Sequence, residues 1–149
     1  MNGIAERINR TLLDLIRAML KNAELPKRFW AEAIVTACYI KNRVIHSFVN
    51  DIPESIWTGN KSSVKHLKVY GCLAYAHITK QDRHKLDSRG KECIFVGYSN
   101  QTKGYRLWDP IKRDIIQTKH VEFVEDVYGY EYIYSKKILE IPLKLMPII

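Results

Sequence analysis

A change in hydrophobic periodicity near residue 60 constrains the fold of this 149-residue chain more than any other feature. Between residues 4 and 20 apolar side chains recur at steps of three and four, which predicts an amphipathic helix with one apolar face. Pro26 stands where a second helix would begin, and another apolar stripe runs from residue 29 to residue 44. The connection around Glu24 is short, so the two helices are expected to form an antiparallel hairpin.

After about residue 67 the pattern becomes that of strands. Four segments rich in β-branched and aromatic residues are separated by turn-forming sequences, namely 69–78, 92–98, 104–108 and 114–123. Short strands joined by tight turns predict a small antiparallel barrel or sandwich. The expected fold class is therefore α+β, a helical hairpin followed by a small β-domain. Four aromatic residues of the helical region are expected to lie in the core: Phe29, Trp30, Tyr39 and Trp57.

The positive charge of the chain is concentrated in its middle. The formal net charge is +8, and residues 61–119 contain 13 Lys and Arg against 5 Asp and Glu. Such an excess attracts polyanions, so this segment is where a nucleic-acid interface is expected. No apolar run approaches the roughly 20 residues that span a bilayer. The three cysteines form no CxxC pair, which indicates reduced thiols in an intracellular protein, cytoplasmic or nuclear.

The candidate phosphate contacts are the basic residues of this middle segment. They are Lys65, Lys68, Lys80, Arg83, Lys85, Arg89, Lys91, Lys103 and Arg106, with His84, Lys112 and Arg113 as further members of the same pool. The alternative is that these side chains only form a solvated face. Among the aromatic residues Phe95, Tyr98, Tyr105 and Trp108, some are expected to be buried and one or two to present a ring to bases.

Seven motifs resemble those of copia-type retrotransposon integrases, which are part of the LTR retrotransposon Pol polyprotein. In order they are NGIAERINRTL (2–12), LPKRFWAEA (25–33), YIKNR (39–43), Pro53 to Trp57, HLKVYGC (66–72), CIFVGY (93–98) and KGYRLWD (103–109). The resemblance spans roughly residues 2–125. It implies that residues 1–60 are a helical remnant of an RNase H-like catalytic core with a connector. It further implies an SH3-like β-barrel at 61–125 and a divergent tail at 126–149.

The resemblance also assigns a role to Glu6. This residue matches the third acidic residue of the family's catalytic motif, which holds divalent metal together with two aspartates that lie upstream in the family. Mg²⁺ or Mn²⁺ is thus implied for the complete enzyme, where two metals clamp the attacking and leaving oxygens. Glu6 is a metal ligand only in a complete core, so no cofactor is expected for this chain, and the 149 residues alone are expected to be inactive.

The function expected from these observations is that of an integrase fragment with sequence-independent binding of DNA or RNA. Two alternatives remain open. One is a co-opted interaction module that self-associates or binds a partner protein through the apolar face of helix 4–21. The other is a transposon relic without a function. No membrane partner is expected.

Overall fold

The computed structural model of the chain describes residues 3–45 and 50–139. The elements run in the order α1 (Gly3–Asn22), a 3₁₀ turn (Lys27–Phe29), α2 (Trp30–Lys41), α3 (Pro53–Thr58), β1 (Cys72–His77), a second 3₁₀ turn (Lys80–Asp82), β2 (Gly90–Tyr98), β3 (Tyr105–Asp109), β4 (Asp114–Thr118), β5 (Val121–Tyr128) and α4 (Gly129–Leu139). No helix within these ranges is both long and apolar enough to cross a bilayer. Part of the predicted connector (46–49) and the end of the predicted tail (140–149) lie outside the described residues.

The five strands form one antiparallel sheet in the order β4-β3-β2-β1-β5. β2 is the long central strand. Its first half pairs with β1, where Ile94 is opposite Leu73, and its second half pairs with β3, where Tyr98 is opposite Tyr105. No ladder joins β4 to β5 in the described part of the chain, so the sheet is not closed into the predicted barrel. The α+β class, with helices preceding an antiparallel sheet, is confirmed.

The predicted strand 114–123 is two strands. β4 pairs with β3 up to Thr118, whereas β5 pairs with β1 from Val121 onward. The hydroxyl of Thr118 accepts a hydrogen bond from the His120 amide, and the His120 carbonyl accepts one from the amide of His77. These bonds end one ladder and begin the next, so the chain changes partner strand within two residues.

One core lies between the helices and one face of the sheet. Its buried residues include Ile16, Met19, Phe29, Ala33, Ala37, Leu73, Ile94, Val96 and Ile133. The first five of these come from α1, α2 and the turn between them, and the last comes from α4. The packing therefore joins residues on both sides of residues 60 and 125, and residues 121–139 form β5 and α4.

A second core lies on the opposite face of the sheet, around Phe95. It consists of Cys72, Ala74, Ala76, Cys93, Phe95, Tyr98 and Leu107. β2 is thus buried on both faces, since Ile94 and Val96 face the helices while Cys93 and Phe95 face this second core. Burial raises the pKa of the Cys72 and Cys93 thiols to about 12, so both remain protonated and unreactive at neutral pH.

Gly71 is the position where three parts of the fold meet most closely. Its φ is +79°, and a Cβ added there would overlap with the Cβ of Ala23 at the end of α1. The Gly71 amide donates to the carbonyl of Phe95, and its carbonyl accepts from the amide of Gly129. Only glycine satisfies both the backbone conformation and the space.

Two of the four aromatic residues predicted for the core are not there. Trp30 is 51% exposed and Trp57 is 90% exposed, so the prediction for these two is wrong. Phe29 occupies the core instead, and its ring is edge-on to that of Trp108, with ring centres 5.2 Å apart. Trp30, the next residue, points away from the core. Trp57 belongs to the six-residue α3, which buries none of its side chains. Tyr39 is partly buried, as expected.

Candidate nucleic-acid interface

The connection between β1 and β2 carries the densest group of cations. Lys80, Lys85 and Arg89 are exposed and Arg83 is half-buried; we call these four residues the loop cluster. None of them has an ion-pair partner within residues 3–45 and 50–139. Their charges are therefore directed into solvent, where they can meet the phosphates of a ligand.

Local hydrogen bonds hold this connection in shape. The Thr79 hydroxyl donates to the carboxylate of Asp82, and the His84 amide donates to the carboxylate of Asp87 at 2.8 Å. At the base of the connection the Ile78 amide donates to the carbonyl of Arg89. The two acidic residues of the segment are thus bound to neighbouring donors within the same loop.

Lys91 lies next to the loop cluster but has a structural role. Its ammonium forms an ion pair with Asp109, whose side chain is fully buried at the end of β3. Asp109 also accepts hydrogen bonds from the amides of Ile111 and Lys112. Burial alone would raise the pKa of Asp109, but the hydrogen bond from Lys91 and those from the two amides outweigh it and lower the pKa below its ordinary value. The charge of Lys91 is therefore neutralised inside the protein.

Arg106 also forms an ion pair within the protein, with Glu32 of α2. Its guanidinium makes two parallel contacts with the carboxylate of Glu32, Nη2 to Oε1 at 2.8 Å and Nε to Oε2 at 3.2 Å. Such a bidentate pair is strong and directional. It ties β3 to α2, so Arg106 connects the sheet to the helices and its charge is balanced.

Three of the remaining candidates, Lys65, Lys68 and Lys103, lie toward the other end of β2. Lys65 and Lys103 are exposed, and Lys68 places its ammonium 5.6 Å from the centre of the Phe123 ring. Lys112 and Arg113 lie in the turn between β3 and β4, close to the Lys91–Asp109 pair. The nine predicted residues are thus divided among the loop cluster, two internal ion pairs and a separate group near the turn between β2 and β3.

The aromatic residues of the sheet are mainly used for packing. Phe95 is fully buried and Tyr98 is 4% exposed. Tyr105 packs edge-on against Phe95 and Phe123, and Trp108 packs against Phe29. These four rings are thus held in packing contacts within the sheet and against α2, whereas the loop cluster offers cations for phosphate contacts.

A cleft that the sequence did not indicate lies between α2, the connector and the turn from β2 to β3. We call it the connector cleft; its volume is about 550 Å³. The residues that line it include Tyr39, Arg43, Lys61, His66, Lys103 and Tyr105. Burial is the largest cause that lowers the pKa of His66, and the neighbouring Arg43 lowers it further.

Glu6 lies in the first turn of α1 and is exposed. No group of three or more His, Cys, Asp or Glu side chains that could hold a metal ion occurs in the described ranges. Glu6 is therefore a lone carboxylate among the described residues, which does not fit a divalent-metal site. No chemical step is assigned to Glu6 in this chain.

Comparison with known proteins agrees with this architecture. Residues 72–137, from the start of β1 into α4, match the family described as the retroviral polymerase SH3-like domain. The match continues past residue 125, where the resemblance was expected to end. No solved structure matches the chain.

Two of the relatives with similar sequences are Pol polyproteins of plant transposons. The chain is 50% identical over 127 residues to the retrovirus-related Pol polyprotein from transposon TNT 1-94 of Nicotiana tabacum, covering 83% of this chain and 9% of that protein. It is 29% identical over 130 residues to the corresponding polyprotein from transposon RE2 of Arabidopsis thaliana, covering 87% of this chain and 9% of that protein. An uncharacterized mitochondrial protein of Arabidopsis thaliana is 35% identical over 86 residues, 57% of this chain and 69% of that protein.

The chain thus spans 9% of the length of the two Pol polyproteins. Its helices followed by a five-stranded antiparallel sheet, together with these matches, identify it: the chain belongs to the family of retrovirus-related Pol polyproteins of transposons and carries their SH3-like domain.

Proposed function

We propose that this chain is a DNA-holding segment of a copia-type retrotransposon integrase, and that its SH3-like domain binds nucleic acid through phosphate contacts without reading the base sequence. The same contacts would serve for RNA, and Mg²⁺ or Mn²⁺ would be needed only by a complete catalytic core. This role places the chain inside the cell, in the cytoplasm or nucleus.

The observation that carries the proposal is the loop cluster. Four cations are held on one shaped connection, and none of them is balanced by a carboxylate of the described residues. The side chains that are balanced, Lys91 in β2 and Arg106 in β3, follow the loop cluster in the chain and form ion pairs with Asp109 and Glu32. Lysine and arginine side chains on a hydrogen-bonded loop suit a phosphate backbone, which carries charge but no sequence information.

The test compares two variants that lose the same number of charges. The first replaces Lys80, Lys85 and Arg89 with glutamine. The matched control replaces three exposed lysines outside the cluster, Lys21, Lys27 and Lys137. Each variant has three fewer positive charges, so a difference between them reports position rather than net charge.

We expect the loop-cluster variant to bind a 20-base-pair duplex on the order of tenfold more weakly than the control variant, because three phosphate contacts are lost. Fluorescence anisotropy at low salt measures both constants. Equal weakening by the two variants would mean that binding depends on overall charge, and the loop cluster would then lose its assigned role.

A second function, binding of a partner protein or a second copy through α1, is favoured by one observation. Only Ile16 and Met19 of α1 are buried, while Ile4 is 59% exposed and Leu13 is 41% exposed. Sedimentation over a range of concentrations tests this alternative. A monomer at all concentrations would exclude self-association through this helix.

A further inference from the structure

The connector cleft is bounded by three segments that are distant in sequence. The first is the end of α2 with Tyr39, followed by Arg43 just after the helix. The second is residues 58–66, between α3 and β1, and the third is the turn 99–104 between β2 and β3. Pockets that enclose small ligands are commonly about 300–1,000 Å³. The cleft, at about 550 Å³, therefore has room for a nucleotide-sized group but not for a duplex.

The floor of the cleft is a rigid set of rings. Tyr39 stacks on Tyr98 with ring centres 4.3 Å apart and planes 11° apart, and the Arg43 guanidinium covers the other face of Tyr39 at 3.4 Å. The Tyr39 hydroxyl lies 2.6 Å from Nε2 of His66, which joins α2 to the connector. A preformed floor of this kind reduces the ordering cost that a ligand would otherwise incur.

The rim of the cleft is basic and rich in donors. Arg43, Lys61 and Lys103 line it, and Glu54 is the one carboxylate among the lining residues. Glu54 is oriented toward Arg43, with Nη2 and Oε1 3.5 Å apart. Lys61 and Lys103 are exposed and have no ion-pair partner within the described ranges. The side-chain hydroxyls of Ser62, Ser63 and Thr102 lie along the same rim.

This combination selects for a phosphate group. Tyr98 and the Arg43 guanidinium cover the two faces of the Tyr39 ring, so a base cannot stack on this ring. Two unbalanced ammonium groups and several hydroxyls are the donors that phosphate oxygens accept from. A carboxylate ligand would use the same cations but would leave more of the donors on the rim without an acceptor.

We propose that the connector cleft is a second phosphate site, which binds a nucleotide phosphate of a single-stranded segment or strand end, with Lys61 and Lys103 as its principal contacts. The inference rests on the proposed function, since it adds a contact to the same class of ligand. The cleft site can be tested separately from the loop cluster because the two lie at opposite ends of β2. Lys103 follows the C-terminal end of this strand, whereas the loop cluster precedes its N-terminal end.

The experiment uses the full 149-residue chain with two matched variants that each lose two charges. One replaces Lys61 and Lys103 with glutamine, and the other replaces Lys80 and Lys85. The probes are a 5′-phosphorylated single-stranded trinucleotide, the same trinucleotide with a 5′-hydroxyl, and a blunt duplex. Circular dichroism establishes that both variants keep the wild-type fold, which is expected because all four side chains are exposed.

We expect the cleft variant to bind the phosphorylated trinucleotide on the order of tenfold more weakly and the blunt duplex within about twofold of wild type. The loop variant should show the reverse. Comparison of the two trinucleotides shows which phosphate the cleft binds. Weaker binding of the 5′-hydroxyl form indicates a terminal phosphate, and equal binding indicates an internal phosphodiester. A cleft variant that binds the trinucleotide as wild type does, or that weakens both probes alike, would overturn the inference.

A second measurement needs no variant. Lys61 and Lys103 should be protected from acetylation by the trinucleotide in the wild-type chain, with Lys137 as an exposed lysine that stays reactive. Mass spectrometry reads each site separately, and equal acetylation with and without the trinucleotide would also overturn the inference. If instead the loop variant fails to weaken duplex binding while the cleft results hold, the proposed function fails and the cleft site stands.

Discussion

Removing the hydroxyl of Thr36 tests whether the helices and the sheet unfold as one cooperative unit. Thr36 lies in α2, is 1% exposed, and has its Oγ1 2.8 Å from the carbonyl oxygen of Val96 in β2 and 2.8 Å from that of Glu32. Val96 lies at the register shift between β2 and β3, where neither neighbouring strand pairs with it. The Thr36 hydroxyl therefore donates a hydrogen bond to the buried carbonyl of Val96, which no neighbouring strand pairs with.

Replacing Thr36 with valine keeps the shape and removes this donor. A buried acceptor left without a partner costs about 1–3 kcal/mol. In a domain of this size each kcal/mol lowers Tm by about 2–4 °C. The matched control is Thr11→Val, because the Thr11 hydroxyl donates to the carbonyl of Arg7 on the exposed surface of α1. That control should change the free energy of unfolding by no more than about 0.5 kcal/mol.

Thermal and urea unfolding should be followed by two signals, helical circular dichroism and tryptophan fluorescence. We expect both transitions of the Thr36→Val variant to shift together, since α2 and β2 share one core. A variant no less stable than the Thr11→Val control would refute the reasoning. So would a shift confined to the helical signal, because the helices would then unfold independently of the sheet.

Three further predictions concern single positions. Gly71→Ala should abolish stable folding because the added Cβ overlaps with the Cβ of Ala23. Gly59→Ala, at φ +72° but in open space, should lower the free energy of unfolding in urea by only about 1 kcal/mol. The pKa of Asp109 is lowered in the folded state, so its pairing with Lys91 stabilises the fold above the ordinary value of 3.8. This stability is lost as the pH falls through the lower folded value, so Asp109→Asn should flatten the acid unfolding curve below pH 3.8. The isolated 149-residue chain should give no strand transfer with Mg²⁺ or Mn²⁺ on labelled DNA ends; activity that disappears with Glu6→Gln would contradict this.

Sequence patterns predicted those elements whose formation depends mainly on neighbouring residues. The apolar steps between residues 4 and 20 correspond to α1, which spans Gly3–Asn22, and Pro26 directly precedes the turn that begins the second helix. The strand segments around β1, β2 and β3 are correct within a few residues. Each of these features depends on neighbouring residues alone, so periodicity and turn chemistry were enough to predict it.

Contacts between residues that are distant along the chain could not be predicted from the sequence. Lys91 and Arg106 look like free cations until the fold brings Asp109 and Glu32 beside them. Counting charges along the chain cannot show such pairs.

The connector cleft and α4 follow the same rule. The cleft is built from three separate segments, and α4 is held to the sheet by the burial of Ile133. The spacing of Tyr130 and Tyr134, whose rings are 4.4 Å apart, was a helical signal within the predicted tail.

The dependence of duplex binding on salt tests the central claim most directly. If the loop cluster neutralises about four phosphates, log K should fall against log salt with a slope near −3.6, from about −0.9 per phosphate. Binding should then weaken about 150-fold between about 50 and 200 mM salt, and duplexes of different sequence should behave alike. Failure to bind any duplex at tens of micromolar protein in low salt, or binding that does not change with salt, would contradict the claim that this SH3-like domain holds DNA by its phosphates.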